Sequence, residues 1–367
     1  MEILDEVTAQ IGQGGMRRVS RARDLKPKRT VARRQLPVPF RAMVRVTAIL
    51  LLTAVVASTK AVAQQPAFAP GSGPTVLFDL GHNSLFLRGT NLSPMTRLQD
   101  DGYLTQTLTG PFTEDALAGV DIVMILAPLA DRNALPPRPA DCPPPPDRSA
   151  ECFEAINAQI REVWRHPIPS AFSEAEITIL REWVGEGGAL LLVLDHFPMS
   201  GAAQELGAAF GIEISNGLAA DGALLAEQGV AQAVAQGAGS LVFERTEGGV
   251  ADDPITNGRT PGQRVDAFGF FGGSAFRLPP EGRSLLTFGS SFVSLLPEVM
   301  WQFSETTSRE DIGGWSGGGV LRVGQGRVAI YGEHGIFPRG DGIERHPELQ
   351  NSQLFMNTMH WLSGLLD

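Results

Sequence analysis

The chain predicts an α/β fold: a flavodoxin-like, mostly parallel sheet flanked by helices, with a less regular β-rich addition. Three observations carry that prediction. Ala189–Leu194 is an unbroken apolar run that stops at Asp195-His196. Lacking period-2 alternation, such a strand needs cover on both faces. Ahead of it, Ser173-Glu-Ala-Glu176 is a capping box, and Ile177, Leu180, Trp183 and Val184 recur at helical spacing. A second helical stretch, Gly201–Phe210, follows the run, and alternating helices and strands are the mark of a parallel sheet.

Taken in order, residues 1–42 are basic and aperiodic, either a disordered tail or an over-extended gene start ahead of Met43. Residues 43–63 read as a signal peptide. Arg41 and Arg45 supply the basic flank, Val46–Ala57 the apolar core, and Ala61-Val62-Ala63 the cleavage site. The core is short for a membrane span. If uncleaved, this segment is the one membrane attachment expected. Export implies a periplasmic or secreted protein. Residues 64–74 are a Pro/Gly/Ala-rich linker, and 75–367 form the folded unit, with an insertion at 130–170 and the β-rich addition at 212–320.

Within that unit, Thr75–Leu80 is a strand broken by Gly81-His82-Asn83. Tyr103–Leu108 is a second strand, and Val120–Ala127, closed by Pro128, a third. Glu114–Ala118 suits one helical turn and Ala150–Trp164 a helix inside the Pro-rich insertion. Gly187-Gly188 ends the capped helix and Gly211 the next one. In the addition, short strands are expected at Ser240–Glu244, Val265–Phe268 and Leu285–Phe288. Val320–Val323 and Gly326–Tyr331 form a hairpin about Gly324-Gln325. A closing helix runs from about Pro347 to Leu366, with Leu354, Phe355, Met359 and Leu362 on one face.

Charge narrows the function classes. Residues 1–63 hold 12 Lys+Arg against 4 Asp+Glu, and the remainder 18 against 36. So acidic a folded part disfavours nucleic acid and anionic membrane surfaces as partners. Every basic residue after Lys60 is Arg, which excludes Schiff-base lysines and a P-loop lysine, and no nucleotide cofactor is expected. Gly314-Trp-Ser316-Gly-Gly318 matches a nucleophile-elbow pattern, but a strand follows it where the elbow needs a helix. Cys142 and Cys152, the only cysteines, flank a Pro-rich loop; in an exported chain they are expected to form a local disulfide.

Three strand ends share a polar signature: Asp79-Leu-Gly-His82-Asn83, Asp195-His196 and Glu333-His334. Open α/β sheets bind ligands at the carboxyl ends of their strands. Asp79, His82, Asn83, Asp195, His196, Glu333 and His334 are therefore the ligand-binding candidates. Imidazole and carboxylate at one rim suit a divalent metal, through His82, Asp195 and His196, and equally suit an acid/base pair. Each residue also has a structural alternative: Asp79 capping the Gly81 turn, Asp195 bonding loop amides, the histidines as satisfied core residues.

Several motifs occur together in order: Asp79–His82, Phe172-Ser173…Trp183-Val184…Gly187-Gly188-Ala189-Leu190, Asp195-His196-Phe197-Pro198, Pro254-Ile-Thr-Asn-Gly258, Gly324-Gln-Gly-Arg-Val328, Gly332-Glu333 and Asn357…His360-Trp361-Leu362. In these the chain resembles an uncharacterised exported bacterial family (DUF4350-like) within the class I glutamine amidotransferase-like superfamily, over roughly residues 75–365. The resemblance implies a flavodoxin-like sheet. True amidotransferases carry a Cys on the turn after the central strand, with His and Glu late in the chain. Here that turn holds Asp195-His196-Phe197, so cysteinyl glutamine hydrolysis is not expected. What remains is a ligand-binding protein for a small-molecule, cell-envelope or carbohydrate-type ligand. The other reading is a hydrolase using the Asp/His/Glu rim, with or without a metal.

Overall fold

Apolar runs of five residues, too short for helices and buried on both faces, build the centre of the molecule. The computed structural model describes residues 65–84, 93–136, 142, 149–337 and 349–367. The N-terminal tail and the signal-peptide segment lie outside the described residues, as do parts of the insertion and the stretch 338–348 that contains His346. The first strands are β1 (Thr75–Asp79), β2 (Leu104–Leu108), β3 (Ile122–Leu126) and β4 (Ala189–Val193). The addition supplies β5 (Glu213–Ile214), β6 (Leu218–Asp221), β7 (Ser240–Glu244), β8 (Ala267–Phe271), β9 (Phe276–Arg277), β10 (Arg283–Thr287), β11 (Phe292–Leu296) and β12 (Ser308–Asp311). The hairpin is β13 (Ser316–Val323) with β14 (Gly326–Tyr331).

Strands β2-β1-β3-β4-β14 lie side by side and parallel, which is the flavodoxin-like order. The arms of a hairpin run oppositely, so only one can be parallel to β4. That arm is β14, with Tyr331 opposite Val193, and it brings Glu333 to the same edge as Asp195. The sheet then continues antiparallel through β13, β9 and β5, with β10 also on β13. Part of the addition is therefore main sheet. The rest forms a three-stranded sheet, β12-β11-β6, and the ribbon β7-β8.

The core follows from the pleat. Phe78, Met124, Leu191, Val193 and Tyr331 pack on one face, while Leu77, Val123, Leu190, Leu192 and Ile330 pack on the other. The capped helix (Glu174–Gly185) covers the second face through Leu180 and Val184. The closing helix (Asn351–Leu362) covers the first and is buried almost all round. It is shorter than the sequence pattern suggests.

Two expectations shift for physical reasons. Gly201–Phe210 divides into Met199–Ala202 and Gln204–Ala209, because Ala203 N bonds Ser200 O and tightens the turn between them. The strand expected at Val265–Phe268 begins instead at Ala267, since Val265 N is used by Thr256 O. Ser316 opens β13, and its hydroxyl donates to Ser284 Oγ at 2.9 Å, so it is no elbow nucleophile. The helix in the insertion runs Ala150–Val163, capped by Ser149. Cys142 and Cys152 are disulfide-bonded, as expected. Among the described residues no helix is long and apolar enough to cross a membrane.

Candidate functional site

The strand-end residues gather into two hydrogen-bonded clusters. The first is centred on His82. Asp79 ends β1 and its Oδ1 accepts from Gly81 N at 2.9 Å, the turn-capping role open to it from sequence. The same carboxylate also takes His82 Nδ1, at 2.9 and 3.0 Å to its two oxygens. His82 Nε2 lies 3.0 Å from Glu176 Oε1. Glu176 is the N3 residue of the capping box, and it also accepts from Phe112 N at 3.0 Å. The ring stacks on Phe112 and tilts against Phe172. Burial draws the pKa of His82 down, but Asp79 and Glu176 outweigh it and hold the pKa above its ordinary value. Burial raises Glu176; the Ser173 and Phe112 amides and His82 outweigh that and lower it. Both imidazole nitrogens face carboxylate oxygens, so the ring is an imidazolium clamp between β1 and the capped helix. Asn83, at φ 53°, ties the next loop to Leu129 O and Asp131.

The second cluster joins β4 to β14. Asp195 is 1% exposed. Its Oδ1 accepts from His196 N at 2.6 Å and its Oδ2 lies 2.5 Å from His334 Nδ1. Glu333 accepts from Phe271 N and Gly335 N, both at 2.8 Å, and stands 2.9 Å from His334 Nδ1. Burial pulls the His334 pKa down, yet the Asp195 and Glu333 charges prevail and raise it to about 10. Burial pushes Asp195 up, and the charges of His196 and His334 overcome that and hold it low. The cluster thus holds the His334 imidazolium between Asp195 and Glu333.

His196 sits beside this cluster in an aromatic frame. Its ring meets Trp164 and Trp301 edge-on, with centroids 5.9 and 5.1 Å away. Nδ1 donates to Phe197 O at 2.6 Å, and Nε2 stands 3.6 Å from Asp195 Oδ1. His196 Nε2 and Trp301 Nε1 are both buried without a hydrogen-bond partner.

Among the described residues, Asp195, Glu333 and His334 bring their donor atoms within 4.8 Å of one another. The sequence-based metal set of His82, Asp195 and His196 is not the one assembled: both His82 nitrogens are held by Asp79 and Glu176. The assembled group does not have metal-site spacing through Nδ1. Its gaps of 2.5 and 2.9 Å are close ion-pair contacts, whereas ligands about a tetrahedral Zn²⁺ stand about 3.3 Å apart.

The seven strand-end candidates, Asp79, His82, Asn83, Asp195, His196, Glu333 and His334, lie at the ends of β1, β4 and β14, and three partners went unread. Glu176 registered only as a cap. Trp164 and Trp301 carried no linear signal, since each meets His196 only through the fold.

No family model and no curated protein matches this chain. Solved structures are similar to it at low identity. The N-terminal domain of mmIFT52 is 15% identical with a TM-score of 0.46, covering 78% of this chain and 96% of that one. A ThuA-like protein from Bacteroides uniformis is 10% identical with a TM-score of 0.39, covering 80% and 93%. A cytoplasmic protein from Salmonella typhimurium is 10% identical at 0.37, covering 79% and 99%. At these values the likenesses establish neither family nor activity, and the α/β assignment rests on the strand order itself.

Proposed function

We propose that this chain is an exported ligand-binding domain of the glutamine amidotransferase-like superfamily, of the DUF4350 type, taking a cell-envelope or carbohydrate-type ligand at the carboxyl edge of its sheet. The observation that carries this reading is the pair of unmatched polar atoms, His196 Nε2 and Trp301 Nε1. A hydroxyl group both donates and accepts, so it can satisfy the two unmatched atoms on these adjoining rings, and a buried polar atom without a partner costs about 1–3 kcal/mol. A hydroxylated ligand relieves that cost. The aromatic faces of Trp164 and Trp301 give it an apolar wall.

Thiol catalysis finds no support, because both cysteines are bonded to each other and Asp195 stands on the strand-end turn. The alternative, a hydrolase built on Asp195, His334 and Glu333, is favoured by their burial in one group. Against it, Glu333 is engaged by two backbone amides and His334 already holds its proton.

The test is a binding screen of purified protein against envelope oligosaccharides, by calorimetry, with Trp301→Phe beside the wild type. Loss of the indole N–H is expected to weaken a bound glycan about tenfold while the melting temperature holds. Binding unaffected by Trp301→Phe and by His196→Ala removes this site. No binding, together with ester or amide turnover lost in Asp195→Asn, establishes the hydrolase instead.

A further inference from the structure

The opposite edge of the sheet carries a cavity of ≈190 Å³ that the strand-end clusters do not touch. Its polar wall is Arg97, Asp100, Asp101, Arg259, Gln263 and His360, and Met356 adds an apolar patch. Asp101 precedes β2 by three residues, which places the cavity at the amino ends of the parallel strands.

The charges of this wall are unequally used. Asp101 is engaged at both oxygens: Oδ1 accepts from Ala67 N at 2.9 Å and Oδ2 meets His360 Nε2 at 2.8 Å. His360 is 2% exposed, and its Nδ1 is buried with no hydrogen-bond partner. Gln263 Oε1 accepts from Arg259 N at 2.8 Å, which fixes the amide and leaves its NH₂ as a donor. The guanidinium groups of Arg97 and Arg259 make no hydrogen bond or ion pair among the described residues. Elsewhere in this acidic chain, Arg245, Arg264, Arg277, Arg283, Arg322 and Arg327 each have a carboxylate partner.

We propose that this cavity binds a small hydroxylated carboxylate, of the size of a sugar acid, through Arg97, Arg259 and the Gln263 amide. Guanidinium forks match a carboxylate in two parallel hydrogen bonds, and a second positive group beside the first raises selectivity for an anion. The volume lies below that of pockets for drug-sized ligands, which restricts the ligand to a monosaccharide acid or smaller. Asp101, with both oxygens already engaged by Ala67 N and His360 Nε2, does not compete for the arginines. Asp100 has no partner among the described residues and offers an acceptor to a ligand hydroxyl.

Calorimetric titration of the purified chain with glucuronate, with inorganic phosphate as a second anion at matched ionic strength, tests the assignment. Glucuronate is expected to bind, and Arg97→Gln and Arg259→Gln each to weaken it about tenfold or more. Arg309→Gln, on the β12 surface, is expected to leave it unchanged. Both cavity arginines are exposed, so the variants should melt as the wild type does, and that is to be checked first. No heat from glucuronate up to about 10 mM overturns the site. So does wild-type affinity in both arginine variants. Phosphate binding without glucuronate binding overturns the carboxylate assignment.

Discussion

At the residue scale, Asp195 shows why a polar residue at a strand end need not be a free ligand. Its carboxylate is buried, takes one backbone amide, and faces the His334 imidazolium. Removing one partner of a buried pair costs about 3–5 kcal/mol, because the other charge stays behind without compensation. Asp195→Asn is therefore expected to lower stability by about 3 kcal/mol, read from the urea midpoint. Glu333 remains, so the imidazolium is not wholly abandoned, and the lower end of that range applies. The His334 ring resonances supply a second readout. In the wild type they should keep the charged form through neutral pH, and in Asp195→Asn the titration should move downward. A variant as stable as the wild type, with His334 titrating unchanged, contradicts the pairing. That Asp195, Glu333 and Asp79 sit at strand ends was legible in the sequence, because apolar runs stop at them. Their partners were not. His82 and Glu176 are 94 residues apart, and no spacing rule connects them.

At the scale of the element, local chemistry decided what was readable. The Ser173–Glu176 box involves neighbours three residues apart, and the structure holds both of its reciprocal bonds. Ser173→Ala is expected to cost about 1 kcal/mol, and somewhat more here, since Ser173 Oγ also donates to Glu176 Oε2 at 2.7 Å. Through Glu176 the loss should reach His82, so the variant's thermal unfolding and the His82 ring titration should shift together. A stability loss with His82 unmoved separates the cap from the clamp. The parallel strands were legible for a similar reason: burial on both faces writes a continuous apolar run. The addition was harder to read. β5 and β9 have two residues each and β12 is largely exposed, so none carries a period. The helices Gly222–Gln228 and Val230–Ala235 are short and pack on a small satellite core. Their placement is set by tertiary contact and not by propensity.

For the whole molecule, the two buried clusters set how stability depends on pH. His82 and His334 have raised pKa values, so their contribution is complete below the unfolded value near 6.5 and fades as pH rises, for His334 through about 10. Asp195 and Glu176 have lowered values, so theirs is present above the unfolded values of 3.8 and 4.5 and is lost as pH falls. The melting temperature should therefore peak between about pH 5 and 6.5 and decline on both sides. The alkaline limb is unusually easy to assign in this chain. Beyond Lys60 there is no lysine, both cysteines are in the disulfide, and burial pushes Tyr103 and Tyr331 above their ordinary range. Among the described residues, His82 and His334 are the groups with raised pKa values that can account for it. With His334 replaced by Asn, the protein should be less stable at pH 6 and its alkaline decline shallower, because the group that releases the proton is gone. Differential scanning calorimetry of both proteins from pH 4 to pH 10 measures this directly. A wild-type melting temperature that stays level from pH 6.5 to pH 10 is incompatible with a charged His334 at the junction of β4 and β14.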